Sequence, residues 1–359
     1  MKIKNYRNLI IFILVLIFII KYSGAWAFDT QENVNQPQTE KYKADSQKTN
    51  EYHADLSKVA KFPIKPVRLL IPFTPAGSND VVARLLAQQL SETWRQQVVS
   101  DNRAGANGII GTDMVAKAPA DGYTLLMIST SFTMNPSLYK LPYDSLMDFS
   151  PISLIAEGPL VLSINPSFPA NSIEQLIAYA KNKPGSIQYA SSGLGGIAHL
   201  TGILFEKTAD ISLIHIPYKS SGSGVIDVIG GQVPLIFSSV SPALPFIKNG
   251  KLRALGIATL NRSALLPNVK TISEAGMLGF ESSMWWGVLG PKNLPQSLMQ
   301  KINQSVRNSI ESQDIQYRFT SLGMDAKVST PEDLNRLIRK DLRKWSNIIS
   351  SSKIKMEVN

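Results

Sequence analysis

Apolar residues in this chain come in short runs broken by polar knots, and the spacing inside the runs keeps changing. In "VRLLIPFTPAGSNDVVARLLAQQL", Val67 to Leu90, a continuous apolar run meets a knot of Thr, Pro, Gly, Ser and Asn. Apolar residues then return at Val81, Val82, Leu85, Leu86 and Leu90, which is one face of a helix. The pattern predicts a strand, a turn and a helix. It recurs down the chain. A short strand near Val98 and Val99 leads through "NRAGANG" into a helix from Ile109 to Lys117, and "YTLLMIS" is a strand followed by "TSFTMNP". "SPISLIA" and "LVLSI" read as two strands around Pro159. "SIEQLIAYAKNKPG" is a helix capped by Ser172 and stopped by Pro184 and Gly185. The strands "IQYA", "ISLIHI", "PLIFSSV" and "LRALGIAT" follow. Two amphipathic helices close the chain, one through Leu298, Ile302, Val306 and Ile310, the other through Leu334, Leu337, Ile338, Leu342 and Trp345. Alternation at this pace predicts an α/β architecture with parallel sheets covered on both faces. The 359 residues are enough for two such units.

The segment ahead of this pattern differs. Lys2, Lys4 and Arg7 precede twelve uninterrupted apolar residues, Leu9 to Ile20, and "SGAWA" places small residues at Ala25 and Ala27. That order predicts a secretory signal peptide over residues 1–27, cleaved before Phe28, and hence a periplasmic protein. Twelve helical residues reach only ~18 Å against a hydrocarbon core of ~30 Å. A retained anchor would have to extend through Lys21. Residues 28–61 are polar, mixed in charge and poor in branched apolar residues, which predicts a flexible tether.

Composition narrows the chemistry. Apolar content of 44% with 18% charged residues is that of an ordinary globular chain. With no cysteine, disulfides, thiolate metal sites and Cys nucleophiles are excluded. The formal charge is +10, and four of those cations (Lys2, Lys4, Arg7 and Lys21) fall in the signal, leaving +6. The densest basic run, "RLIRKDLRK", is spaced as the wet face of a helix, so nucleic acid is not the expected partner.

Four βα junctions carry Gly, Ser, Thr or Asn beyond a minimal turn: "FTPAGSND", "STSFTMNP", "SSGLGG" and "PYKSSGSG". In an open α/β sheet such junctions lie at the carboxyl ends of strands, where backbone N–H groups and helix dipoles make an anion site. One exposed dipole end contributes only ~0.3–1 kcal/mol. A micromolar ligand needs ~8 kcal/mol. Several charge-assisted hydrogen bonds in one closed cleft would reach it. "SSGLGGIA" also holds a relaxed dinucleotide fingerprint at Gly193, Gly195 and Ala198, but the next strand, ending in "IHIPYK", has no acid to grip a ribose. Lys219 could meet a phosphate there. There is no Walker sequence and no G-x-S-x-G elbow. His199 and His215 are too few for a histidine-built metal site, and no pair of carboxylates falls in the knots. No catalytic residue, metal or cofactor is expected. The knots carry donors and little reactivity, as a receptor's would.

The blocks "KPVRLLIPFTPAGSNDVVARLLAQQL", "NRAGANGIIGTDMVAKAPADGYTLL", "IQYASSGLGGIAHLTGILF", "HIPYKSSGSGVIDVIGGQV" and "EAGMLGFESSMWWGVLGP" resemble, in order, those of the Bug family. That family comprises exported solute-binding receptors of tripartite tricarboxylate transporters. The resemblance runs from about Phe62 almost to the C-terminus. It implies a two-domain periplasmic-binding-protein fold of the Venus-flytrap type, with the hinge crossed more than once. Domain 1 would be residues 62–162 plus 286–359, and domain 2 residues 163–285. It implies a monomer without cofactor that holds a small carboxylate between facing loops and delivers it to a tripartite tricarboxylate-type membrane permease. A periplasmic sensing subunit for a membrane kinase would use the same cleft. A nucleotide-dependent enzyme is the third reading.

Carried over position by position, the resemblance makes Phe73, Thr74, Pro75 and Ala76 the first gripping loop, with Asn79 and Asp80 behind it. The bland role of Asp80 is helix N-cap. Ser131 and Asn135 would offer a hydroxyl and an amide. Ser191, Ser192, Gly195 and Gly196 would line the opposing helix N-terminus, and Tyr218 would close one side. His199 is expected to be a packed core residue and Asp227 structural. Ala76 stands where the family usually has glycine, Ser220 where glycine usually follows Tyr-Lys, and "NRAGANG" replaces a Pro-Gly-Ala-Gly-Gly type run.

Overall fold

The computed structural model describes residues 59–351, Ala76 excepted. The signal peptide, nearly all of the tether, the role given to Ala76 and residues 352–359 lie outside the described residues. Val59 to Lys61, read as the end of the tether, are helical, and Lys301 Nζ donates to the carbonyls of Val59 and Ala60.

The first half follows the pattern. β1 (Val67–Ile71) leads to α1 (Ser78–Trp94), then β2 (Val98–Asn102), a short 3-10 turn at Ala106–Gly108, α2 (Ile109–Ala116), β3 (Thr124–Ser129) and α3 (Ser131–Leu138). β1 pairs in parallel with β2 and β3. The helical spacing of Val82, Leu86 and Leu90 turns these residues onto Val67, Leu69 and Ile71, all fully or almost fully buried.

β4 (Phe149–Ile164) departs from expectation. It is one strand of 16 residues rather than two around Pro159. Residues Phe149 to Pro159 pair antiparallel with β9 (Ser283–Pro291), and Leu160 to Ile164 pair with β7 (Leu235–Ser239). Pro159 lacks an N–H and so marks the point where the strand changes partners without ending. Between the two passes lie α4 (Ile173–Asn182), β5 (Gln188–Ser191), α5 (Ile197–Ala209), β6 (Ile214–Pro217), α6 (Ser221–Ile229), β7, α7 (Val240–Lys248) and β8 (Arg253–Ile257). β5 is parallel to β6 and β7. The expectation of parallel sheets is therefore corrected to mixed ones. β3 and β4 both run antiparallel to the returning β9, because a chain that passes from one half to the other must come back.

After β9 come α8 (Gln296–Ile310), α9 (Gln313–Ser321), β10 (Asp325–Ala326) and α10 (Pro331–Ser351). α10 makes a third pass. Its Leu334 and Ile338 pack with Leu126, Ile128 and Trp285, while its Trp345, Ile348 and Ile349 pack with Leu162, Tyr189 and Phe205. Residues assigned by sequence to the first domain thus complete the core of the other half.

Candidate functional site

The knots set the local geometry first. Gly77 takes the N-cap of α1 in extended conformation, and the first bond inside the helix runs from Val81 N–H to the Gly77 carbonyl at 3.0 Å. The amides of Ser78 and Asn79 therefore have no partner within the helix. In α5, Gly196 is the N-cap and Leu200 N–H donates to its carbonyl at 3.0 Å, which leaves Ile197, Ala198 and His199 in the same state. Ser172 caps α4 as the pattern predicts, accepting from Gln175 N–H. Ser220, in place of the family's usual glycine, caps α6 by accepting from Ser223 N–H.

Both exposed helix starts border one cleft of about 600 Å³. Ser78 and Asn79 line it from one side, and Ser192, Gly195, Gly196 and Ile197 from the other. Phe73 and Ser131 are also in the wall. Lys219 is exposed at its edge and is the only formally charged side chain among the described lining residues. A cleft with two positive dipole ends, one cation and no carboxylate favours an anion.

Sequence reasoning therefore brought together Phe73, Asn79, Ser131, Ser192, Gly195 and Gly196. The other named residues stand elsewhere. Thr74 and Pro75 are exposed and are not among the lining residues. Asp80 is in the first turn of α1 rather than at its cap. It is buried, its carboxylate accepts from Arg84 Nε at 2.9 Å and from Asn102 Nδ2 at 2.9 Å, and that same Asn102 Nδ2 donates to the Phe73 carbonyl at 3.0 Å. Asp80 thus steadies the loop through Asn102. Asn135 is buried behind the wall in a reciprocal pair with Asn107, donating to its carbonyl at 3.0 Å and accepting from its Nδ2 at 2.8 Å. Tyr218 donates its hydroxyl to Asp227 at 2.8 Å, and burial together with that carboxylate pushes its pKa up to about 12.

Ser191 is fully buried beneath the opposing loop. Its Oγ shares a 2.6 Å hydrogen bond with His215 Nε2, and it accepts from Gly193 N–H at 3.2 Å. His199 is a packed core residue, as expected, with its ring against that of His215. The Gly195 N–H, read from sequence as a ligand donor, donates instead to His199 Nδ1 at 3.0 Å. That bond fixes the tautomer, since an accepting Nδ1 puts the proton on Nε2. Burial holds His199 down to about 3, helped by its neighbour, and burial alone holds His215 down to about 4, so both rings are neutral near pH 7.

Reasoning from sequence missed Asn107, Tyr139 and Met284 in the wall. Asn107 adopts φ 52, a left-handed conformation that asparagine tolerates, and "NRAGANG" was the available signal. No group of three or more candidate metal ligands occurs among the described residues. No helix among them is long and apolar enough to cross a membrane.

A model of the tripartite tricarboxylate transporter family receptor matches residues 82–354. Protein BugT of Bordetella pertussis is 36% identical over 299 residues, covering 82% of this chain and 92% of its own. A solved structure described as R. palustris Rpa4515 with adipate superposes with a TM-score of 0.69 at 32% identity, over 80% of this chain and 97% of its own. The periplasmic binding protein BugD superposes with a TM-score of 0.67 at 32% identity, over 82% of this chain and 99% of its own. Both solved structures share the two-domain binding-protein fold.

Proposed function

The chain belongs to the tripartite tricarboxylate transporter family of receptors, and from that premise we propose that it captures a small carboxylate between the N-termini of α1 and α5. It is a solute-binding receptor and not an enzyme. The observation that carries the carboxylate reading is the shared cleft, with Ser78 and Asn79 facing Gly196 and Ile197, Lys219 at the edge and no acid in the wall. Amides at the two helix starts would hold the carboxylate oxygens, with Ser131 and Ser192 supplying hydroxyls. Lys219 would add a charge-assisted contact. We place the division between the two lobes where β4 changes partners at Pro159 and Leu160, a reading supported by its pairing with β9 before that point and with β7 after it. A ligand touching both lobes favours the closed arrangement by its affinity difference between the two forms. After export and signal cleavage, the loaded receptor hands its cargo to a membrane permease of the tripartite type.

The test is a thermal-shift screen of the folded chain with succinate, malate, adipate, citrate and butanoate. A ligand at a hundred times its Kd stabilises the folded state by ~2.7 kcal/mol, a shift of several degrees. A Lys219→Gln chain should show a smaller shift at the same concentration. No shift with any member of the panel would sink the reading.

A further inference from the structure

Beside the main cleft lies a second space of about 220 Å³, and its chemistry is different. Ser78 and Met284 border both. Beyond them the walls are Val81, Trp286, Leu322, Met324 and Pro242, with serine hydroxyls and no charged side chain among the described lining residues. Trp286 is fixed at one end, since its Nε1 donates to Asn79 Oδ1 at 2.7 Å. Gly158 makes room for the indole, because a Cβ there would come within 3.2 Å of its six-membered ring. The space is therefore built rather than left over between loops. An apolar cavity of ~150 Å³ is enough to take a benzene ring. Met284, with three rotatable bonds and no branch, is suited to move aside between the two spaces.

We propose that this space takes the apolar tail of the ligand, so that the receptor selects a monocarboxylate bearing a hydrocarbon chain or ring. The inference rests on the carboxylate reading above and specifies it. The head sits at the helix starts of the main cleft, and the tail runs past Ser78 and Met284 onto the Trp286 indole. A dicarboxylate long enough to reach the same place would bury its second charge with no cation among the described lining residues and only the helix starts at Ser78 and at Ser239 and Ser241 to meet it, and an exposed dipole end offsets little of that cost. Each methylene that enters the space leaves water for an apolar wall.

Isothermal calorimetry of the chain with straight-chain acids from propionate to octanoate tests this, beside adipate as a two-headed control. Affinity is expected to rise about fourfold for each CH₂ until the space is filled, and adipate to bind more weakly than hexanoate. Val81→Phe, or Leu322→Trp if the first variant fails to fold, should remove the gain with length and leave propionate unchanged. Binding of the short acids without any rise along the series would overturn the tail site alone. A loss in Val81→Phe that is equal at every length, in a chain with unchanged melting, would overturn it too. Failure of every acid, adipate included, would overturn the carboxylate reading along with it.

Discussion

His199 and His215 lie ring on ring, their centroids 3.8 Å apart and their planes within 15° of each other, directly beneath the loop that faces the cleft. Each ring holds one point of that loop, His199 through Gly195 N–H and His215 through Ser191 Oγ. Two rings this close cannot both carry charge, and burial already disfavours the charged form. The pair is thus a neutral brace under the α5 helix start.

A pH dependence of stability follows. Both rings titrate well below the ordinary histidine value of 6.5 when folded. Below that value the unfolded chain binds protons that the folded chain refuses, so stability falls with pH through the window from 6.5 toward 4. Above 6.5 the pair contributes no slope. Each histidine adds at most ~1.4 kcal/mol per pH unit inside the window. Urea unfolding at pH 7.5 and pH 5 should show the loss, and a His199→Gln, His215→Gln chain should lose less. Equal losses in the two chains would contradict the brace.

Removing the acceptor alone should loosen the gripping loop. His199→Leu leaves the Gly195 amide buried and unpaired, at a cost of ~1–3 kcal/mol in unfolding free energy. Ligand affinity should fall with it, because the helix-start amides next to Gly195 are no longer held in register. Calorimetry alongside denaturant unfolding separates the two effects.

Three glycines in the second half should respond differently to a methyl group. At Gly202 a Cβ would sit 2.3 Å from the ring of Tyr189, which is fully buried and cannot retreat. Gly202→Ala should cost ~1–3 kcal/mol. At Gly224 the nearest atom, 2.8 Å away, is the Cδ1 at the end of the Ile236 side chain, a smaller overlap, so Gly224→Ala should cost less. At the exposed Gly222 nothing is nearer than 3.9 Å, and Gly222→Ala should stabilise α6 by ~0.5–1 kcal/mol. The order of the three melting temperatures is the check.

The last helix is expected to matter for the whole molecule. Trp345 is buried in the core that contains Tyr189 and Phe205, although Leu334 and Ile338 of the same helix belong with Trp285. Trp345→Ala should cost ~3–5 kcal/mol. Because α10 reaches both cores, unfolding should remain one transition by circular dichroism and by tryptophan fluorescence.

Much of the fold was legible because period-2 runs and 3.6-residue faces follow the chain in strict order. Val82, Leu86 and Leu90 announced α1, and Leu298, Ile302 and Val306 announced α8. α7 carries no clear signal in the pattern, since Pro242 and Pro245 interrupt its apolar spacing, yet Pro242 falls in the helix's first turn, where no N–H is needed. α9 was missed because only Ile315 and Phe319 mark its buried face. The continuity of β4 through Pro159 depends on its neighbours β9 and β7, which lie far off in sequence. In the site, the helix starts were legible as glycine and serine knots. Which donors face outward was not: Gly195 turns to His199, Asn135 to Asn107 and Tyr218 to Asp227, and each choice is made by a tertiary partner.

The central claim is that two helix starts hold one ligand. Titration of the ¹⁵N-labelled chain with butanoate, followed by amide chemical shifts, tests it most directly. The account predicts that the amides of Asn79 and Ala198 move together along a single binding curve with the same Kd. Movement at only one of the two, or separate curves with different Kd values, would contradict it.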